Sequence, residues 1–526
     1  MGKMSGITKR QILSKLETKL LGNDKVQYSE KKKKSITEKM MKFAPSKYTE
    51  WTQGKGEAGI IIGKHPTKNT LLKSYGQTFA YLAAEPGGGK GVGAVIPNLL
   101  DYPDSVVCCD PKMENWMITA GWRELMGHKC FCFQPESFSS HRYNPLDYVN
   151  RDQDFRVGDI KAFASILYDP REDHKNANWY GKAGDAFGGI VLYMLESENC
   201  PAERFRCPVT LAQAYEFASA AEGVDKWIHR IVEEREDAGV PLSGECVREL
   251  KNFASSASNP SGWASTTGIL KDRLSLFAEK TVAAATSSSD FDFRQLRREK
   301  ISIYFCVGQN SLEKYSILMN LFFSQAILEN TKVLPEHDST LKHQCLMLMD
   351  EFAVMGPINI MKTAPALTRA YNVRYLIIFQ NKDQLRDGKL YGEAGTKAIL
   401  QAFHIEIVFT MQDEVAAKEY SEKLGYQTLK QAKTSRTTAT GQGGGSRNRS
   451  VEEYERALML PQEIMEMPYD YQLLFISPTR KTEPLKVKSR KVFWYEERNL
   501  AICGDLTPPE IRYTNPLDLP SLTVRP

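Results

Sequence analysis

The chain has 526 residues, 42% of them apolar and 25% charged, which excludes intrinsic disorder and exceeds what one hydrophobic core can fill. A net charge of +5 over that length is mild, so a nucleic-acid partner must be argued from local clusters and not from the total. The ten cysteines include no CxxC pair and the eight histidines no HExxH, which disfavours structural zinc and fits a reduced, cytoplasmic chain with free thiols.

Residues 1–50 read as a basic amphipathic segment. Ile12, Leu13, Leu16 and Leu20 share one helical face, and four lysines follow at 31–34. Such a segment is either a solvated tail or a docking element for an acidic membrane surface or a partner subunit. No stretch reaches the ~18 to 20 apolar residues that span a bilayer, and no signal-peptide core is present at the N-terminus.

From about Trp51 the text turns to short apolar runs alternating with helical stretches. "GQTFAYLAAE" is the first strong strand, followed by "SVVCCDPKMENW", "HKCFCFQP", "KISIYFCVG", "QCLMLMDEF", "VRYLIIFQN" and "HIEIVFTMQ". These runs are continuous and not alternating, as expected of strands covered by helices on both faces of a largely parallel sheet. "YQLLFISP" and "LKVKSRKVFWY" are candidate extensions of its edge. Between 178 and 289 strand-like runs are missing, which predicts an all-α domain inserted between residues 51–177 and 290–526 of one α/β domain. Residues 433–450, "KTSRTTATGQGGGSRNRS", read as a flexible basic loop that cannot pack a core.

The chemistry starts at "AAEPGGGKGVGAVIP". A strand that ends in glycines and passes into a helix presents backbone N–H groups and a positive helix terminus to an anion, which makes Pro86, Gly87, Gly88, Gly89, Lys90, Gly91 and Val92 a phosphate-binding loop with Lys90 on the β and γ phosphates. Two positions depart from GxxxxGK[ST]. Ala84 replaces the first glycine, which is tolerable if its φ is negative, and Gly91 removes the hydroxyl that normally holds Mg²⁺. "QCLMLMDEF" closes on Asp350 and Glu351, where one carboxylate can hold Mg²⁺ through water and the other can orient an attacking water. Gln380, ending "VRYLIIFQ", is placed to sense a γ-phosphate. Arg369, in the preceding connection, is the candidate arginine finger for a neighbouring subunit, with Arg374 as the alternative.

With these pieces in order, the chain resembles the type IV coupling proteins, the TraG-like ATPases of conjugation and type IV secretion. The resemblance runs from about Trp51 to Val487 and rests on "GKGVGAVIPNLL", "DPKMENW", "TAGWRE", "RYNPLDYV", "LMDEFAVMGPI" and "IIFQNKDQL". It implies a RecA-like P-loop NTPase domain with an inserted all-α domain, binding ATP and Mg²⁺. Lys90 is implied as phosphate lysine, Asp350 as Mg²⁺ carboxylate, Glu351 as catalytic carboxylate, Gln380 as sensor and Arg369 as finger, with Asp110 near the metal. It further implies homo-hexamers around a channel, with ATP at subunit boundaries. The partners it implies are DNA, relaxase or relaxosome proteins, secretion-channel ATPases and inner-membrane components, and protein effectors as an alternative cargo.

Most of that family begin with two transmembrane helices and this sequence shows none. The expectation is a position at the cytoplasmic face of a bacterial inner membrane, reached through a partner or a missing anchor. Lys430, Lys433, Arg436, Arg447 and Arg449 are candidate contacts to a phosphate backbone, with a solvated loop as the alternative. Two rival functions stand beside the coupling ATPase. One is a chromosomal DNA translocase of the FtsK or HerA kind, against which the helical insertion and "RYNPLDYV" speak. The other is a nucleotide-binding docking platform without motor activity, which only an ATPase assay separates from a motor.

Overall fold

The computed structural model describes residues 58–170, 173–436, 447–478, 484–522 and 524. The basic segment 1–50 and the centre of the low-complexity stretch, 437–446, lie outside them.

Thirteen strands are present among the described residues: β1 Gly59–Lys64, β2 Leu71–Tyr75, β3 Ala80–Ala83, β4 Ser105–Asp110, β5 Lys129–Phe133, β6 Ile301–Cys306, β7 Cys345–Met349, β8 Val373–Phe379, β9 Ile405–Val408, β10 Tyr426–Arg436, β11 Arg447–Ala457, β12 Tyr471–Ile476 and β13 Leu485–Arg490. Eleven of them form one sheet in the order β2-β1-β13-β12-β9-β3-β8-β7-β4-β6-β5. From β9 to β5 every neighbouring pair is parallel, and β12, β13, β1 and β2 extend the sheet antiparallel. All seven expected central strands are there. β1 and β2 are additions that precede the first expected strand; β1 is a short run of three buried isoleucines, and β2 interrupts its apolar residues with Lys73, buried against Asp101 at 2.5 Å.

The continuous apolar character of the central strands has a direct cause. Successive side chains point to opposite faces, and both faces are covered. Phe79, Tyr81 and Ala83 enter one core while Ala80, Leu82 and Ala84 enter another. The second core is closed by the Ile96–Asp101 and Glu114–Leu125 helices through Leu99, Trp116 and Ala120. The first is closed by the Ser316–Glu329 helix, whose Phe322 stacks on Phe133 at 5.8 Å, and continues into the helical segment.

That segment runs from the Gln153–Leu167 helix to the Lys280–Ala285 helix with no strand among its described residues, and so begins earlier than residue 178. "RYNPLDYV" ties it to the sheet. Arg142 pairs with Asp290 at 2.7 Å, and Asn144 donates to the Val209 carbonyl at 2.9 Å.

The expectation for 433–450 needs correction. Its two flanks are not featureless loop: Lys433 to Arg436 lie in β10 and Arg447 to Ser450 in β11, a separate two-stranded antiparallel sheet with Lys433 opposite Ser450 and Arg436 opposite Arg447. Composition missed this because a hairpin needs cross-strand partners and not an apolar face of its own.

Arg374, the alternative finger, is also corrected. It is 0% exposed, and its guanidinium donates to the carbonyls of Ala58 and Ser74, each at 3.2 Å, and of Thr78 at 2.9 Å. It stitches β8 to the start of β1 and the β2–β3 turn. Arg374→Met strands two buried carbonyls and a half-buried one and should cost about 3 kcal/mol of stability. A lowered urea midpoint by tryptophan fluorescence checks this, and an unchanged midpoint contradicts it.

Candidate nucleotide site

Parallel pairing puts the carboxyl ends of β3, β8, β7 and β4 side by side at one edge of the sheet. Ala83 is level with Phe379, Met349 with Ile377, and Cys108 with Leu348. The residues that follow those ends are therefore neighbours: the glycine loop after β3, Gln380 after β8, Asp350 and Glu351 after β7, and Asp110 closing β4.

The loop is shaped by its glycines. Gly87 and Gly89 have φ of 77° and 83°, where a side chain is strained, and a Cβ on Gly89 would stand 2.5 Å from the Tyr469 hydroxyl. Ala84 does not need glycine: the positive-φ residues other than glycine are Met113, Glu351 and Asn372 among those described, and the Ala84 amide simply continues the sheet to the Phe379 carbonyl at 3.1 Å. Gly91 faces open space, with nothing within 4 Å of an added Cβ. Pro86 is exposed at the loop's outer edge, and the Val92 side chain packs with the Ile96, Trp122 and Trp494 cluster, leaving only its backbone near the loop.

The helix after the loop starts as a wide turn, with the Ile96 amide bonded to the Gly91 carbonyl. The Val92 carbonyl, which Ile96 would bond in a regular α-turn, accepts from the Trp494 amide at 3.2 Å, and Pro97 next has no N–H to offer Gly93. Asn98 holds this helix against β1, accepting from the Ile61 amide at 2.7 Å and donating to the Ile61 carbonyl at 3.0 Å. Its far end is capped by "TAGWRE". Arg123 donates to the carbonyls of Leu99 at 2.7 Å and Tyr102 at 2.9 Å, and the Trp122 indole donates to Leu100 at 2.7 Å.

Lys90 and Glu351 form an ion pair, both side chains largely buried. Glu351 occupies the left-handed region at φ 57°, a conformation that costs a non-glycine residue about 1 to 3 kcal/mol and turns its carboxylate toward the loop. Asp350 stays behind it, its Oδ1 accepting from the Glu351 amide at 3.1 Å. Burial pushes the Asp350 carboxyl up to about 6, with Glu351 and Asp110 raising it further against the pull of Lys90. Burial likewise pushes Asp110 up to about 6 although its Oδ2 accepts from the Trp116 amide at 2.8 Å. Its other oxygen is buried and has no hydrogen-bond partner.

This pair suits Mg²⁺. The orphaned Asp110 Oδ1 and two carboxyls held above their ordinary range describe a spot short of positive charge. No group of three or more His, Cys, Asp or Glu side chains forms a cation cage among the described residues.

The remaining expected residues lie elsewhere. Gln380 is half-buried, its amide bonded to the Gln384 side chain at 3.2 Å, and it lines a cleft with Glu85, Lys382 and Asp413 beside the loop. Arg369 precedes β8, at the opposite end of that strand from Gln380, so the sheet separates it from Lys90 by roughly 20 Å. Its guanidinium donates to the Ala402 carbonyl at 2.9 Å, and burial lowers its pKa. Lys433, Arg436, Arg447 and Arg449 belong to the separate two-stranded β10–β11 sheet, not to the strands whose ends form this edge.

Sequence reasoning missed the residues that cover the loop from outside. Lys491 donates to the Gly88 carbonyl at 2.9 Å and Tyr469 to the Gly87 carbonyl at 3.3 Å. They stand some 400 residues further along, in stretches that read only as sheet edge, and nothing local in "MPYDYQ" or "SRKVFWY" announces the contact.

Residues 21–514 match the family described as type IV secretory system conjugative DNA transfer. The chain belongs to that family. Among curated relatives, a VirD4 protein of Rhizobium radiobacter is 28% identical over 430 residues, 81% of this chain but 58% of the relative. A conjugal transfer protein TraG of Escherichia coli is 25% identical over 441 residues, 78% of this chain and 67% of the relative. The chain thus spans little more than half the length of the first of these. Among solved structures, the bacterial conjugative coupling protein TrwBdeltaN70 in its unbound monoclinic form superposes with a TM-score of 0.56 at 13% identity, covering 87% of this chain and 92% of that one. The plasmid coupling protein TrwB in complex with ADP and Mg²⁺ gives 0.51 at 13% identity, over 79% of this chain and 85% of that one. The fold is the RecA-like P-loop NTPase with an all-α domain that the sequence led us to expect. No helix among the described residues is long and apolar enough to cross a membrane.

The two loop glycines should respond oppositely to substitution. Gly91→Thr meets open space at an ordinary helical φ and should leave the thermal midpoint unchanged. Gly89→Ala places a Cβ at positive φ against Tyr469 and should cost more than about 1 kcal/mol. Parallel thermal melts check the pair, and equal midpoints would contradict the account.

Proposed function

We propose that this chain is a coupling ATPase that binds and hydrolyses ATP to recruit and deliver DNA or nucleoprotein to a type IV secretion channel. The observation that carries the reading is the ion pair between Lys90 and Glu351, with Asp350 and Asp110 behind it at the adjoining strand ends. This assembles, in one place, a phosphate loop, a cation for the transferred phosphoryl group and carboxylates for metal and water. The family membership and the fold shared with TrwB, whose complexes with ADPNP and with ADP and Mg²⁺ are known, support it.

In this reading the ATP phosphates lie on the loop amides at the start of the Gly91–Val95 turn, where the helix terminus favours an anion. Lys90 leaves Glu351 for the phosphate oxygens, which frees the Glu351 carboxylate to accept a proton from the attacking water. Asp350 and Asp110 would hold Mg²⁺, which would supply positive charge to neutralise the phosphates. Gly91 supplies no hydroxyl, so the holding would fall to those carboxylates. Gln380, at the end of the strand between the loop and Asp350, senses the γ-phosphate. Arg369 lies before the start of β8, at the opposite end of the strand from the site and beyond reach of its own chain's loop, which supports service to the next subunit of a ring, as in a homo-hexamer. Lys433, Arg436, Arg447 and Arg449, carried on the β10–β11 hairpin, are the proposed contacts to the phosphate backbone of the cargo. The inserted helices serve as the cargo-selecting unit, with relaxase or relaxosome proteins, the secretion-channel ATPases and inner-membrane components as partners at the cytoplasmic face of the inner membrane.

Purified chain should hydrolyse ATP faster with DNA present. Lys90→Ala should abolish turnover, while Glu351→Gln should bind ATP with turnover down about a hundredfold or more. Undiminished hydrolysis by Lys90→Ala would sink the assignment. Arg369→Ala should lose about a thousandfold in turnover with ATP binding intact. Mixing it with Glu351→Gln should restore part of the activity, because each subunit then supplies what its neighbour lacks. No recovery on mixing would place the finger elsewhere.

A further inference from the structure

One cation beside the loop has no part in the reading above. Lys491, directly after β13, is 4% exposed, and its amine lies 4.1 Å from the centre of the Phe409 ring and 4.3 Å from that of Tyr469. A buried ammonium ordinarily pairs with a carboxylate. Here no carboxylate lies within ion-pairing distance among the described residues. The acid whose field reaches it, Asp470, is paired with Arg490 at 3.5 Å. What the amine does hold is the carbonyl of Gly88, at 2.9 Å. The charge is therefore unbalanced next to a loop built for an anion.

The planarity of the peptide bond gives this contact a consequence. In a trans peptide the carbonyl of one residue and the N–H of the next point in opposite directions. Lys491 draws the Gly88 carbonyl outward, so the Gly89 amide is directed away from the lysine, to the other side of the loop. Tyr469 does the same for the peptide before it. It holds the Gly87 carbonyl at 3.3 Å while the Gly88 amide closes the turn onto the Glu85 carbonyl at 3.0 Å. Gly87 and Gly89, at positive φ with no side chain, are the freest joints of the segment, and these two contacts bracket the peptides between them. Phe493 stacks on Tyr469 at 5.6 Å and keeps that ring in place.

We propose that Lys491, seconded by Tyr469, is a positioning residue for nucleotide binding: its ammonium sets the Gly88–Gly89 peptide so that the Gly89 amide faces the phosphates, and its uncompensated charge adds to that of Lys90. This rests on the reading of residues 86–91 as the nucleotide loop. Burial lowers the Lys491 pKa to about 8, so the ammonium is intact at neutral pH. The groups facing it are Gly88 on the loop, Phe409 after β9, Tyr469 and Asp470 before β12, and Arg490 ending β13, and of these Asp470 alone is acidic. A bound anion raises the lysine's pKa, so affinity is constant below the free value and falls as pH rises above about 8.

The test is titration of the full chain with a fluorescent ADP and Mg²⁺ from about pH 7 to about pH 9.5. The unaltered chain should bind more weakly as pH passes about 8. Lys491→Met should bind roughly tenfold more weakly at neutral pH and lose that dependence, whereas Lys491→Arg, which keeps its charge, should hold high affinity across the range. Tyr469→Phe, at an exposed ring, should weaken binding less and retain the pH dependence. Lys491→Met indistinguishable from the unaltered chain in affinity and pH profile overturns the inference alone. If Lys491→Met does not fold by circular dichroism, a flat profile for the unaltered chain overturns it. Absence of any nucleotide binding by the unaltered chain overturns the nucleotide reading and this inference with it.

Discussion

The parallel pairing of β3, β8, β7 and β4 is the constraint on which the rest depends. Hydrogen bonding between parallel strands brings their carboxyl ends to one edge, and every group of the candidate site is the residue at, or just after, one of those ends. Asp110 and Asp350 are neighbours because Cys108 and Leu348 are in register, although 240 positions of sequence and a whole helical segment lie between them. Lys90 meets Glu351 because the loop after β3 arches over the end of β8. A register shift of two residues between β4 and β7 would leave every side chain on its own face and still part the two aspartates.

The loop itself is held from three directions. Asn98 pins its helix to β1, Arg123 and Trp122 secure the carbonyls at the helix end, and Lys491 and Tyr469 take the carbonyls of the glycines. Each holds backbone and not side chain, which suits a segment that has almost no side chains to hold. "TAGWRE" therefore owes its place beside the nucleotide loop to hydrogen-bond satisfaction: a helix end buried under β1 leaves carbonyls that only a side chain can reach.

The site is also the place where charge and strain concentrate. Two carboxyls are pushed up to about 6 by burial, one of them with an oxygen that bonds to nothing, and Glu351 sits in a left-handed conformation. On β2, by contrast, the buried charge of Lys73 is answered within the chain by Asp101. Groups left unanswered at one sheet edge are what an incoming metal and phosphate would complete.

The order of the central strands' chemistry was legible in the chain because it is local: a strand buried on both faces must be continuously apolar, and Asp350, Glu351 and Gln380 stand where such runs stop. Glycines at 87 and 89 announced a turn, and the absence of strand text from 178 onward announced helices. Other features depended on residues distant in sequence. Arg374 and Arg369 look alike as text, yet one is sealed under three carbonyls and the other lies at the far end of β8. The hairpin flanking 437–446 was hidden because pairing belongs to two segments at once. Lys491 reaches Gly88 from 403 residues away, and only the closing of β13 against β12, beside β9, brings it there. Local sequence determined which residues could do chemistry, because backbone geometry and burial act over a few positions. The tertiary structure decided which of them act together, because contact across a sheet depends on strand order and register.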